Sequence, residues 1–133
     1  MTWVNANSWA ASLCVGGFMD WRLPTALNSD GSGPCSGFNC TGSEMGYLFY
    51  NELGGTAFSS IETTNNNNFD LFMNVQSNFH WSGLEFAPDT PFAWNFTFFD
   101  GAQLAGSKIG NLFGWAVRDG DFDALVIRVI WYY

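Results

Sequence analysis

Near residue 79 the spacing of apolar residues changes from helical to alternating, so the chain must pair a helical layer with a sheet. Upstream, Trp3, Ala6, Trp9, Ala10, Leu13 and Cys14 share one face, opposite Asn5, Ser8 and Ser12, and predict a helix over 3–14. Thr2 is its N-cap and Gly16-Gly17 its stop, which makes Cys14 a buried, inert thiol. Pro24 pushes Leu23 out of helical dihedrals, so 20–25 is extended, and 26–40 is a polar, Gly-rich loop. Thr41-Gly42-Ser43-Glu44 matches a capping box before a second helix. Met45, Leu48, Phe49 and Leu53 form the apolar face of that helix, and Gly54-Gly55 ends it. Asn65 to Asn68 reads as a polar, low-complexity loop. Downstream, Trp94, Phe96 and Phe98 alternate with Ala93, Asn95 and Thr97. Asp100-Gly101 and Asp119-Gly120 signal turns around a strand at 115–118, and Leu125 to Tyr133 reads as a last strand. Two helices before an antiparallel sheet make the class α+β.

Charge narrows the partners. Four basic residues face twelve carboxylates in the 133-residue chain, for a formal charge of −8. Nucleic acid needs a patch of cationic phosphate contacts that this chain cannot supply. Anionic membranes and sulfated polysaccharides are disfavoured for the same reason, whereas a neutral sugar or a cation such as Ca²⁺ is easier. No stretch reaches the roughly 18 apolar residues of a membrane span. Seven Trp, fourteen Phe and four Tyr supply unusually bulky core material.

Several residues bear chemistry. Cys35 and Cys40 flank a Gly-rich turn whose four intervening residues allow a small disulfide loop. Free thiols are the alternative, and zinc lacks a second ligand pair. Asn28, Asp30 and Ser32 alternate in a Gly-rich loop as a candidate calcium site, which Glu44 or Asp20 would have to help complete. The competing and favoured reading is an Asx-turn whose side chains bond their own backbone. His80 is the sole histidine and has no evident acid–base partner, and Ser82 lacks a nucleophile-elbow context. Arg22 and Arg118 sit among aromatics. Stacking and pairing with Asp20, Glu85 or Asp119 is favoured over ligand contact, with Glu44 no more than a cap. Aromatics near Trp81 and Phe92 are candidates for a shallow sugar- or peptide-binding face. The sequons Asn39-Cys40-Thr41 and Asn95-Phe96-Thr97 are taken as coincidental.

Six segments then run in a recognisable order: 3–7 (Trp-Val-Asn-Ala-Asn), 17–25 (containing Trp21, Arg22, Leu23 and Pro24), 40–46 (containing Glu44), 81–88 (from Trp81), Ala93-Trp94, and 115–121 (containing Trp115 and Arg118). Together they resemble bacterial domains similar to the C-terminal domain of the collagen-like adhesin Lcl. The likeness is greatest to versions in exported proteins with a PEP-CTERM sorting tail. Such domains look like distant relatives of the C-type-lectin and formylglycine-generating-enzyme superfamily. The resemblance implies a C-type-lectin-like architecture, with two helices packed on a twisted antiparallel sheet with long loops. It covers 1–121, without the strand that usually precedes the first helix, and leaves 122–133 as an unfamiliar strand or tail.

Met1-Thr2-Trp3-Val4-Asn5 has neither the basic residues nor the hydrophobic run of a secretory leader, so an extracellular or cell-surface location is expected from the resemblance alone. The functional expectation is a non-catalytic binding module of a bacterial surface or matrix protein, for glycan or another extracellular polymer or protein. A structural or assembly domain is the alternative, and copper-dependent cysteine oxidation a remote third. No cofactor is expected beyond the calcium candidate. The alternating tail 124–132 is expected to cover an exposed sheet edge, within the chain or across a dimer.

Overall fold

The computed structural model describes residues 1–119 and the backbone of 130–132. Helix α1 spans Trp3–Ser12, where Thr2 Oγ1 accepts the Asn5 amide and caps the first turn. Ala6 and Ala10 are its buried residues, and Trp3, Trp9 and Leu13 pack beside them. The helix ends two residues earlier than the apolar spacing predicts. Leu13 turns extended, and Gly16 and Gly17 take positive φ in a tight turn that joins Val15 to Phe18. Cys14 therefore lies beyond the helix and is exposed, contrary to the expected buried thiol.

Helix α2 spans Glu44–Tyr47 and continues into a π-helical turn, Leu48–Glu52. Its cap is Ser43, whose hydroxyl accepts the Gly46 amide at 3.1 Å, and not the Thr41 that opens the capping-box pattern. Met45, Leu48, Phe49 and Leu53 are all buried, as their spacing requires. A Cβ on Gly46 would fall 1.8 Å from the Cys40 carbonyl oxygen, so α2 docks directly on the loop before it. The asparagine run is less idle than its composition suggests. Asn66 and Asn68 both donate side-chain N–H groups to the Glu52 carbonyl, and the Asn66 amide bonds to Leu53 O. They satisfy acceptors that the helix end leaves open, and a 3-10 turn, Asn67–Leu71, follows.

Strands β1 (Phe79–Glu85), β2 (Phe92–Thr97) and β3 (Gln103–Ser107) form an antiparallel sheet in that order. Strand β4 (Gly114–Ala116) pairs antiparallel with β5 (Ile130–Tyr132), so the described end of the chain lies along β4. Residues 120–129, and with them the Gly120 turn and most of the proposed tail strand, lie outside the described residues. A bridge from His80 to Phe113 ties β1 to the approach of β4.

The class is α+β, with β2 buried on both faces. One face joins Met45, Leu48, Phe49, Phe96, Phe98 and Trp115, and the other joins Ala6, Ala10, Trp21, Trp81 and Ala93. Alternation in β4 sends Trp115 to the first cluster and Ala116 to the second. Among the described residues no helix is long and apolar enough to cross a membrane.

Candidate functional site

Two places bring the notable residues together. The first joins the extended stretch 20–25 to the end of β4. Arg22 and Val117 exchange main-chain hydrogen bonds of 2.8 and 2.7 Å. The Arg22 guanidinium forks onto Glu44, Nη1 to Oε1 at 2.7 Å and Nη2 to Oε2 at 3.1 Å, and also reaches Asp119 Oδ1 at 2.6 Å. Glu44 Oε1 accepts the Thr25 amide as well. The hydrogen bond to Glu44, reinforced by Asp119, raises the Arg22 pKa and keeps the guanidinium charged. Arg118 forks in turn onto Asp20 at 2.9 and 3.1 Å and lies 3.6 Å from the Phe18 ring centroid. That hydrogen bond holds the Asp20 carboxyl below its ordinary value.

Glu44 is thus the main partner of Arg22 and not merely a cap. Glu85, expected near the arginines, pairs instead with Lys108, whose ammonium sits over the Trp3 ring. Trp21 and Leu23 are 4% and 3% exposed, and Pro24 is fully buried. Trp81 and Trp115 are fully buried, and Trp94 is 7% exposed with its ring edge-on to Phe86. Arg22, with Glu44, Thr25, Val117 and Asp119, forms a latch between α2, the 20–25 stretch and the end of β4.

The calcium candidates bond to each other. Asp30 Oδ1 accepts both the amide and the hydroxyl of Ser32, which holds its carboxyl below the ordinary value. Asn28 Nδ2 donates to Ser32 Oγ at 3.1 Å. Asp20 and Glu44, the carboxylates offered as possible further ligands, are held by arginines. Among the described residues no group of three or more His, Cys, Asp or Glu gathers as a metal site.

His80 is buried among Phe98, Phe113 and Trp115, with Nδ1 3.0 Å from the Asn78 carbonyl. That carbonyl can only accept, so Nδ1 carries the proton. Burial lowers the His80 pKa to about 4. Ser82 is fully buried, its hydroxyl accepting the Leu84 amide. Asn95 and Thr97 of the second sequon are buried in β2.

The second place is a junction of three loops. Cys35 and Cys40 form a disulfide. The loop they close is stapled to β3: Gly37 and Gln103 exchange main-chain hydrogen bonds, and buried Gln103 Nε2 donates to the carbonyls of Cys35 and Ala26. Tyr50 clamps it from the other side, taking the Asn39 amide on its hydroxyl and donating to Gly101 O. Gly101 has φ +80°, and a Cβ there would meet Tyr50 Oη at 2.5 Å. Across the junction the Phe58 amide bonds to Asp100 O at 2.9 Å. The Phe58 ring lies 4.1 Å from that of Phe38, centroid to centroid and tilted by 34°.

Phe58 is 74% exposed and Phe99, beside Asp100, is 63% exposed, whereas Trp81 of the expected binding face is fully buried. No sequence pattern singles out Phe58. The available signal is a lone aromatic in the small, polar loop Gly54 to Ser60.

No family model, no curated protein and no solved structure matches this chain.

Proposed function

We propose that this chain is a non-catalytic binding module that recognises a glycan or another extracellular polymer, in keeping with the Lcl-type, C-type-lectin-like resemblance of its motifs. The observation that carries the reading is the loop junction, where the exposed Phe58 ring lies against the half-buried Phe38 ring and the pair is fixed by the disulfide, the Tyr50 clamp and the Asp100 bond. Recognition favours surfaces whose shape is set before the partner arrives, because less conformational entropy is lost on binding. The placement of the residues weighed for catalysis supports the non-catalytic reading. His80 and Ser82 are inside, and Cys35 and Cys40 are joined. The resemblance implies a location outside the cell, and a disulfide persists in such a compartment, which supports the reading. A glycan array run with and without Ca²⁺ tests the reading. Reproducible hits are expected in both conditions. An array without hits turns the assignment towards a structural or assembly domain, and hits only with Ca²⁺ bring the Asn28, Asp30 and Ser32 loop back as a site.

A further inference from the structure

We infer that the Phe38–Phe58 pair is the binding platform itself and that its ligand is a neutral pyranose polymer, an inference that rests on the binding-module reading above. The first argument is conformational. Phe58 has φ +69°, a left-handed backbone that bulky side chains avoid. A strained residue persists only where its surroundings impose it. Here the Asp100 carbonyl holds the Phe58 amide and the Phe38 ring braces the side chain, yet most of Phe58 remains in water. An exposed phenyl gains little from burial, so the strain keeps the ring on display.

The second argument is chemical. Two tilted rings offer an apolar surface to the C–H face of a sugar, while hydroxyls on the sugar edge need polar neighbours. Ser36 and Asn39 lie within two residues of Phe38, and Thr56 and Ser59 within two of Phe58, so small polar side chains flank both rings along the chain, and Asp100 bonds the Phe58 amide across the junction. The small polar residues beside these rings suit sugar hydroxyls, whereas a peptide hot spot calls for a surround that excludes water.

The third argument is electrostatic. The described cations Arg22, Lys108 and Arg118 all bond carboxylates elsewhere, and the chain carries −8, so a polyanion would meet repulsion at this junction.

The experiment is affinity gel electrophoresis of the full chain in soluble mixed-linkage β-glucan, galactomannan and dextran, with heparin as the acidic comparison. Wild type, Phe58→Gly and Phe58→Trp are compared. Glycine relieves the backbone strain while removing the ring, so Phe58→Gly should fold with a thermal midpoint within about 5 °C of wild type. Retardation by at least one neutral polymer is expected, weakened at least about tenfold in Phe58→Gly and kept or strengthened in Phe58→Trp. Wild type retarded by none of the polymers overturns the neutral-polymer platform, while the glycan array separately decides the binding module. Retardation equal in wild type and Phe58→Gly overturns the platform alone, and retardation by heparin only overturns the neutral ligand. A Phe58→Gly protein that unfolds shows the ring to be structural and overturns the platform, unless Phe58→Trp binds and circular dichroism shows a native fold for Phe58→Ala without binding.

Discussion

The latch at Arg22 and the junction at Phe58 treat the same kinds of residue in opposite ways. In the latch, Trp21 is 4% exposed, and both arginines fork onto carboxylates supplied by distant parts of the chain. At the junction, main-chain bonds tie Gly37 to Gln103 and Phe58 to Asp100, yet Phe58 is 74% exposed on a left-handed backbone. An aromatic-rich chain therefore divides its rings between holding the fold together and presenting a surface. Residue type does not decide which; the direction of the backbone and the company of polar partners do.

The largest expected effect lies on the latch side. Trp21→Ala should destabilise the chain by about 3–5 kcal/mol in denaturant unfolding, because it empties an enclosed site beneath the 20–25 stretch. Phe58→Ala should cost under about 1 kcal/mol in the same measurement, as surface changes do. Similar losses for the two would erase the contrast.

Next in size is a pH effect from the frame. His80 is neutral and buried, with its pKa lowered from 6.5 to about 4. The unfolded chain then takes up a proton that the folded chain refuses, so stability falls as pH drops from 6.5 towards 4 and levels off below. The loss across that window should be on the order of 3 kcal/mol for this single group. Asp20 and Asp30 act separately. Their lowered pKa values stabilise the fold above the ordinary carboxylate range, and that contribution disappears only in stronger acid. Chemical unfolding at intervals between pH 4 and 7 should show the slope in wild type and a flatter profile in His80→Gln. An unchanged slope in the variant would move the effect to another group.

How far this division was legible in the sequence depends on the range of the forces involved. The α+β class, the Thr2 cap and the buried face Met45, Leu48, Phe49 and Leu53 follow from local spacing, which backbone geometry translates directly into structure. The pairing of Cys35 with Cys40 lay within reach because only four residues separate them. Asp119 and Asp20 were also legible as partners of the arginines, but the main partner of Arg22 was not. Glu44 stands 22 residues away, and its position after Ser43 looks from sequence like part of a cap. Glu85 went to Lys108 for the same reason, since a register between strands decides it. Cys14 was misplaced because apolar spacing continues past Ser12, where the glycine turn has already ended the helix. Phe58 had no periodic signature at all, because its prominence comes from one dihedral angle.

The disulfide should matter about as much as its short loop allows. Replacing Cys35 and Cys40 together with serine should cost about 2 kcal/mol, since a small loop removes little entropy from the unfolded chain. The loss should concentrate on the junction side. Hydrogen exchange of the Gly37 and Asn39 amides should quicken, while that of the Arg22 and Val117 amides, which hold the latch, should change only with global stability. Equal acceleration at both places would mean that the two regions open as one unit.

The smallest effect is the most discriminating, because it inverts a familiar order. At an exposed helical position such as Ser8, alanine should be more stable than glycine by about 0.5–1 kcal/mol, the entropy that glycine loses on folding. At position 58 the order should reverse. Alanine keeps the left-handed cost of roughly 1–2 kcal/mol that any Cβ incurs, whereas glycine does not, and the difference outweighs the entropy term. Phe58→Gly should therefore exceed Phe58→Ala in stability by up to about 1 kcal/mol, read as the difference in denaturant midpoint at equal slope. Alanine above glycine at 58, as at Ser8, would show that the backbone relaxes once the ring is gone. The Phe58 ring, and not the Asp100 bond, would then be what holds the strained conformation.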